Sequence, residues 1–319
     1  MSTARKKSPK IKEAFEKTIE QHVGGLPTGK RKWTRLSTRH IAACVGNVSH
    51  QTVVTWLRRQ KFSLRSNVKR LSGTSHPDRD RQFKLIRKAR TRFLNAGWPV
   101  LSVDAKNAEL IGDYKNSGQK WETADKPELV KAHDFKTKTT VKAIPYGIYD
   151  IGRNEGHVEV GTSRNTGRFA VDSIRSWWHC KGKKLYPKTR RLAIECDGGG
   201  SNGHRPWLWK RQMQKLSDDT GLIITVHHYP PGASKWNPVE HRLLGAIAKN
   251  WEAIPLRDKE TMLALLRGTK TTTGLTVTAR WNDRVYKTGE KISDEEKMEL
   301  NFKRHDAMPL WNYTFYPRK

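Results

Sequence analysis

Apolar positions change their period along the chain, and those changes divide it. In LSTRHIAACVGNVSHQTVVTWLRR (36–59) they recur at helical spacing. Ile41, Cys44 and Val45 make one stripe, and Val53, Trp56 and Leu57, at i, i+3 and i+4, make a second. Between them Gly46-Asn47 offers a break where positive φ is cheap, and Ser49 is a good N-cap. Two short helices around a turn are expected. A longer helix is expected from about Asp80 to Ala96, capped by Asp78 and stopped by Gly97.

From Trp98 the period shortens to that of strands. In PVLSVDAK (99–106) Leu101 and Val103 face one way, Ser102 and Asp104 the other. AIPYGIYDI (143–151) and GHVEVGTS (156–163) read as an antiparallel pair joined by a turn. FAVDSIRSWW (169–178) returns to helical spacing, and RLAIECDGGG (191–200) is a strand ending in an aspartate and a glycine triplet. RPWLWKRQMQKLSDDTG (205–221) is helical, with Trp209, Met213 and Leu216 on one stripe and Gly221 as its stop. LIITVHHYPP (222–231) is a strand halted by prolines, and KWNPVEHRLLGAIAKNW (235–251) begins another helix. Three strands, helix, strand, helix, strand, helix is the order of a ribonuclease H-like domain. The expected class is therefore α/β: a mixed sheet with helices on both faces, preceded by an all-helical helix-turn-helix region. Beyond it, Leu256, Met262, Leu265 and Leu266 predict an amphipathic helix ending at Gly268. LTVTARW (275–281) and LWNYTFYP (310–317) predict strands, and SDEEKMEL (293–300) a short acidic helix. The expected divisions are a basic arm (1–32), a helix-turn-helix region (33–72), a connector helix (73–98), the ribonuclease H-like domain (99–254) and an extension packed on its core (255–319).

Charge sharpens this division. The 319 residues carry a formal net charge of +31, and residues 1–98 hold 24 Lys and Arg against 5 Asp and Glu, a net +19. A basic arm joined to a larger, less charged domain is the footprint of a nucleic-acid binder. On the second short helix His50, Gln51, Thr52, Thr55, Arg58 and Arg59 fall on the outer face, the residue types that reach base edges and phosphates. An ordinary helical hairpin is the plain alternative. The helix after it carries Arg81, Lys84, Arg87, Lys88, Arg90 and Arg92, and either tracks a DNA backbone or is a solvated connector. No apolar run approaches the ~18–20 residues of a membrane span. Three cysteines without CxxC spacing argue against a disulfide framework and for a reducing compartment.

Three carboxylates close predicted elements: Asp104 on the first strand, Asp197 at the end of the fourth, and Glu240 on the helix that follows the fifth. Magnesium is a hard ion that prefers oxygen ligands, and two ions ~3.5–4 Å apart can activate the attacking and stabilise the leaving oxygen of a phosphoryl displacement. Asp104 is the expected bridge between the ions, with Asp197 and Glu240 flanking it. Taken singly, Asp104 ends a strand, Asp197 makes a turn, and Asn237-Pro238-Val239-Glu240 has the spacing of a capping box. Against that last reading, Glu240 lies in line with Leu244, Ile247 and Trp251, aimed along a buried edge where an unpaired charge is expensive. His227, His228 and His241 surround the region without a recognised zinc spacing. DGGGSNG lacks the Lys-Ser/Thr of a phosphate-binding loop, so its glycines are expected to let backbone approach DNA or metal closely.

The segments VLSVDAKNAELIGDYKNSG, AIPYGIYD, CDGGGSNGHRPWLWK, HHYPPGASKWNPVEHRLL and WNYTFYP resemble the ISAzo-type (Rhodopirellula-type) DDE transposases of bacterial insertion sequences. The resemblance runs from about Trp33 to the C-terminus and includes SHPDRDRQF; YPPGASKWNPVEH is also similar to the third-acid motif of mariner-like transposases. It implies Asp104, Asp197 and Glu240 as the catalytic, metal-holding triad and two Mg2+ as cofactors, with Mn2+ able to substitute. It also implies cleavage at insertion-sequence ends and joining of the 3′-hydroxyl to target DNA, without a nucleotide cofactor. Lys235, within the third-acid motif, joins the DNA-binding set. The implied partners are double-stranded DNA, both transposon ends and target, and a second protomer or more on that DNA. The implied location is the bacterial cytoplasm, at the nucleoid. The short, Lys-rich stretch 1–32 departs from the pattern, and a longer N-terminal DNA-binding region is expected to be missing. A truncated or domesticated relative that binds without transposing, and a metal-dependent nuclease or resolvase, stay open as alternatives. Trp281, Trp311, Tyr313 and Phe315 are expected either to pack on the core or to form a platform for DNA or a second subunit.

Overall fold

The computed structural model describes residues 9–22, 24–25, 32–64, 76–120, 128–133 and 140–318, in two compact units, Met1–Leu71 and Ser72–Lys319. Residues 1–8, 23 and 26–31 of the basic arm, 65–72 of the helix-turn-helix region and 73–75 of the connector lie outside the described residues.

The first unit contains α1 (Pro9–Gln21), a minimal antiparallel pair β1 (Gly24–Gly25) and β2 (Lys32–Trp33), α2 (Thr38–Val45) and α3 (His50–Arg59). Within the stretch read as a basic arm, α1 is a structured helix. Its Phe15 and Ile19, at i and i+4, are buried in one cluster with Ile41 and Val53, and Phe15 meets Trp56 edge-on at 5.0 Å. The helix is easy to overlook because those two side chains are its only buried ones. Ser37 and Ser49 cap α2 and α3 by accepting from the His40 and Thr52 amides, and the turn between them uses φ of 70° at Gly46 and 49° at Asn47. Cys44 is exposed, against expectation. At 100° per residue the buried direction lies between Ile41 and Ala42, on the side of Val45, which leaves Cys44 about 100° away from it.

The second unit opens with α4 (Arg79–Asn95), whose first residue follows Asp78; the Asp78 side chain makes no cap bond. Then come β3 (Val100–Ala105), the short β4 (Glu109–Leu110), β5 (Lys142–Asp150), β6 (Glu155–Gly161), α5 (Gly167–Trp177), a π-helical turn leading into α6 (Lys183–Leu185), β7 (Arg191–Cys196), α7 (Trp207–Thr220) and β8 (Ile223–His228). A second π-helical turn, Glu240–Leu244, runs into α8 (Gly245–Asn250), followed by α9 (Lys259–Gly268), β9 (Thr276–Asn282), α10 (Asp294–Met298), β10 (Phe302–Arg304) and β11 (Asn312–Phe315). The main sheet has the order β10-β11-β8-β7-β3-β5-β6-β9. β3 sits at its centre, antiparallel to β5 and parallel to β7, which is parallel to β8. A three-strand meander continued by two parallel strands is the ribonuclease H-like arrangement, and both faces carry helices. Leu101 and Val103 of β3 pack with α5 and α7, while α8 and α9 cover β5, β6 and β9 elsewhere.

The segment after residue 254 is more than an extension lying on the core. It supplies β9, parallel to β6 at one edge, and β10–β11, with β11 antiparallel to β8, at the other. Trp311, Tyr313 and Phe315 are consequently buried, so they are not available as a platform, and Trp281 is half-buried. The connector helix is likewise docked. Gln82, Ile86 and Phe93 face the sheet, and the fully buried Gln82 amide donates to the His228 carbonyl (2.8 Å) and the Asn312 side chain (2.9 Å).

Arg90 on the same helix donates two bonds to Glu195, which is 1% exposed and also accepts from the Tyr229 hydroxyl (2.7 Å). Burial of the pair raises the tyrosine pKa, and the carboxylate holds the guanidinium charged. Arg90→Ala should lower stability by about 3–5 kcal/mol, because it strands a buried carboxylate. Urea denaturation should show the double variant Arg90→Met/Glu195→Leu recovering much of that loss. No recovery would mean that the pair holds the helix by packing and not by charge.

Candidate active site: carboxylates at the strand ends

β3 and β7 are adjacent and parallel, in a register that pairs Val103 with Cys196. Asp104 is the next residue on one strand and Asp197 the residue just past the end of the other, so the two acids come to the same end of the sheet a strand spacing apart, ~4.8 Å. Asp104 is opposite Gly147 on β5. A Cβ at Gly147 would sit 2.8 Å from Leu244 and 3.2 Å from Val239, and one at Gly156 would sit 2.4 Å from Leu243. The missing side chains let the Glu240–Leu244 turn lie directly on β5 and β6. Glu240 comes from that turn to the same corner, where its charge acts on the Asp104 carboxyl. The turn is π-helical, a local widening that recurs at functional sites. The sequence-predicted triad is thus brought together.

Two side-chain amides hold the acids in place, each oriented by a hydroxyl. Asn237 is fully buried; its Oδ1 accepts from Ser102, and its Nδ2 donates to Asp197 (3.2 Å) and to the Val103 carbonyl (3.3 Å). Ser102 in turn accepts from the Val239 amide at 2.8 Å. Asn202 accepts from the Tyr146 hydroxyl (2.7 Å), which turns its Nδ2 toward Asp104 (3.4 Å), and the Ala105 amide donates to the same carboxylate (2.8 Å). The capping-box reading of Asn237 therefore fails: its side chain serves the site, not the helix end. Ser102, Tyr146, Gly147, Asn202 and Asn237 escaped the sequence reading. Only Ser102 left a signal, a polar side chain on the face of β3 that also bears Asp104.

Burial raises the Asp104 pKa to about 8, reinforced by the charges of Asp197 and Glu240; burial likewise lifts Asp197 to about 6. Among the described residues no Lys or Arg forms an ion pair with any of the three acids. Nor do three His, Cys, Asp or Glu side chains there form a ready-made metal cage. The donor set, oxygen-only, anionic and without a basic counter-charge, fits a hard divalent cation.

The histidines do other work. His228 Nδ1 donates to the Asp197 carbonyl (3.0 Å) while Nε2 accepts from Tyr313 (2.6 Å), and burial pushes its pKa down to about 3, so it is a neutral brace. His227 faces Asn312 at 2.7 Å, and His241 is exposed against the Lys235 carbonyl. Of the glycine run, Gly200 is needed for its φ of 62°, and Gly199 faces open space. Lys235 is exposed on the 3-10 turn Ser234–Trp236 ahead of Glu240, its ammonium 5.3 Å from the Trp236 ring centre. On α3, Gln51, Thr55, Arg58 and Arg59 are exposed as expected, whereas His50 and Thr52 are half-buried beside the Ser49 cap.

A ribonuclease H-like sheet with acids gathered at its strand ends is the architecture of enzymes that move phosphoryl groups between nucleic-acid strands. A family model described as the Rhodopirellula transposase DDE domain matches residues 14–317, and the chain belongs to that family of DNA-cleaving and DNA-transferring enzymes. Among solved structures, the Mos1 transposase paired-end complex with left transposon end aligns at TM-score 0.42 and 11% identity, over 82% of this chain and 71% of that one. The mariner Mos1 paired-end complex with Mg gives 0.42, 11%, 82% and 70%, and the Mos1 strand transfer complex 0.40, 13%, 82% and 71%. No curated protein matches the chain.

A carboxyl whose folded pKa lies above its unfolded value stabilises the fold below pH 3.8 and loses that contribution as pH rises toward 8. Asp104→Asn should therefore melt higher than the unaltered chain at pH 8, by a few degrees at ~2–4 °C per kcal/mol relieved. The gap should close toward pH 4. Magnesium should raise the melting temperature of the unaltered chain and leave the variant nearly unmoved. Equal melting curves across this range would show that the carboxylates do not strain the fold.

Proposed function

We propose that this transposase hydrolyses a phosphodiester at the end of an insertion sequence and then directs the freed 3′-hydroxyl at target DNA. Asp104, Asp197 and Glu240 are its catalytic acids. The observation that carries the reading is their convergence, half-buried and mutually repelling, where among the described residues the side-chain donors to Asp104 and Asp197 are the neutral amides of Asn202 and Asn237. Asp104, whose carboxyl feels the charge of both other acids, would hold the metal together with them, and Mg2+, or Mn2+ in its place, would be the cofactor. Divalent cations held there supply Lewis-acid stabilisation of the charge that develops on the phosphoryl oxygens. Asn237 and Asn202 keep the Asp197 and Asp104 oxygens aimed, and Ser102 and Tyr146 keep the amides from flipping.

DNA is the substrate on both sides of the reaction. Arg58 and Arg59, exposed at the end of α3, meet phosphates, and Gln51 and Thr55 reach base edges, with His50 and Thr52 contributing from the edge of that face. Lys235 neutralises a phosphate beside the acids. Pairing of two element ends favours a dimer or larger assembly on DNA, formed at the nucleoid; among the described residues no helix is long and apolar enough to cross a membrane.

With a labelled element end and Mg2+, Asp104→Asn, Asp197→Asn and Glu240→Gln should each lower cleavage and strand transfer by about 10³-fold or more. DNA affinity should be retained. A variant that still cleaves removes that residue from the triad, and cleavage without joined products would make the chain a nuclease.

Arg58→Ala and Arg59→Ala should each weaken binding to duplex DNA and reduce the slope of log affinity against log salt by ~0.9. An unchanged slope in both would make α2 and α3 an ordinary helical hairpin.

A further inference from the structure

The outward face of α4 is strongly basic, and among the described residues no acid pairs with it. Arg81, Lys84, Arg87, Lys88 and Arg92 are exposed there, with Asp80 as the single acid on that face. Lys84, Lys88, Thr91 and Asn95 form its crest at i, i+4, i+7 and i+11, directly opposite the docked Gln82, Ile86 and Phe93. Some arginines elsewhere in this unit are matched by acids, Arg175 by Asp172 and Asp219, Arg211 by Glu290 and Glu296 and Arg318 by Asp218, whereas exposed ones such as Arg164, Arg190, Arg205 and Arg242 form no ion pair among the described residues. On α4 only the inward Arg90 has such a partner, Glu195. Among the described residues the five outward cations form no ion pair, and Lys84–Lys88 and Lys88–Arg92 set like charges at i, i+4, an arrangement that opposes the helix. A helix meant only to be solvated gains nothing from it.

The ridge also leads somewhere. Gly97, at φ 70°, turns the chain from the end of α4 back into β3, so the first turns of α4 lie at the end of the sheet that carries Asp104. There Phe83 packs 6.0 Å from the Tyr229 ring, just past β8, and 6.2 Å from Trp236, the neighbour of Lys235. The exposed Lys235, on the turn ahead of Glu240, thus lies near the start of the helix, where Asp80 is the one acid before the run of cations begins.

We propose that the outer face of α4 is a backbone track for duplex DNA, on which Lys84, Arg87 and Lys88 neutralise successive phosphates of the DNA whose reacting end lies at the carboxylates. It rests on the transposase reading for which DNA this is, but the contacts themselves are independent of sequence. The helix is thereby more than the connector between the two units. Its buried side fixes it to the strands that carry the acids, and its exposed side sets the register of the DNA against them.

The test uses the full chain and a short mixed-sequence duplex. Lys84→Gln/Arg87→Gln/Lys88→Gln alters only exposed side chains and should bind about 10-fold or more weakly, with the salt slope reduced by about 2–3, ~0.9 for each phosphate left without its cation. A control of equal charge, Lys183→Gln/Lys184→Gln/Lys188→Gln, removes exposed lysines from another part of the same unit and should leave the slope unchanged. Bound duplex should also protect Lys84 and Lys88 from acetylation. An unchanged slope in the first variant, equal losses in both variants, or Lys84 and Lys88 as reactive with DNA as without it would each overturn the track. Cleavage of an element end by the unaltered chain is scored separately: a chain that binds through α4 yet never cleaves refutes the transposase reading and leaves the track standing.

Discussion

Three carboxylates drawn together in a half-buried corner repel one another, and the catalytic unit is organised around holding them there. The work is shared among elements far apart in sequence. The central pairing of β3 with β7 brings Asp104 and Asp197 to one end of the sheet, where neither can retreat without breaking strand register. Glu240 arrives from a separate helix, and its distance is set by how closely that helix can lie on the sheet. Glycines at 147 and 156 remove the side chains that would otherwise hold Leu243 and Leu244 off. A close contact between hydrocarbon and bare backbone thus governs an electrostatic site.

The same sheet treats two buried carboxylates in opposite ways. Glu195, on β7, has a bidentate arginine and a tyrosine hydroxyl, so its charge is balanced and its role is to fix α4. Asp197, two residues on, has the Asn237 amide as its side-chain donor and the repulsion of its neighbours. A permanent counter-ion next to it would relieve that repulsion and remove the reason for a cation to bind. Neutral amides orient the oxygens without cancelling the charge. The hydroxyls of Ser102 and Tyr146, by occupying the amide oxygens, leave Asn237 and Asn202 only their N–H groups to present. Stability is given up locally, and under the proposed function the uncancelled charge is what a divalent cation would bind.

The C-terminal segment explains why the sheet is wider than the order of its first five strands requires. β11 covers the edge of β8, and β9 covers the edge of β6, so the two strands that would have been open to pairing with another chain are occupied. Burying Tyr313 in the process places its hydroxyl on His228, which in turn holds the Asp197 carbonyl. The end of the chain thereby braces the residue at its centre.

How much of this was legible in the sequence depends on the range of the interaction that decides each feature. Period and punctuation are local, so the strands around Leu101, Ile148, Ile194 and Val226 and the helices around Ile174, Met213 and Leu266 could be read directly, as could their order. The order of elements and the motif blocks together pointed to the three acids. What local pattern could not carry was partnership. Asn237 has the spacing of a helix cap, and only the fold shows Asp197 and Ser102 competing successfully for its side chain. Gly147 is unremarkable in YGIYD until a helix some 95 residues later rests on it. Helix α1 buries too few side chains to declare itself, and the aromatic run near the C-terminus can be read as core or as platform until β11 inserts it beside β8. Each is a contact between distant segments. Sequence by itself determined which elements form and what chemistry they carry; tertiary structure decided which side chains meet, because burial and hydrogen-bond partners are properties of the packed chain.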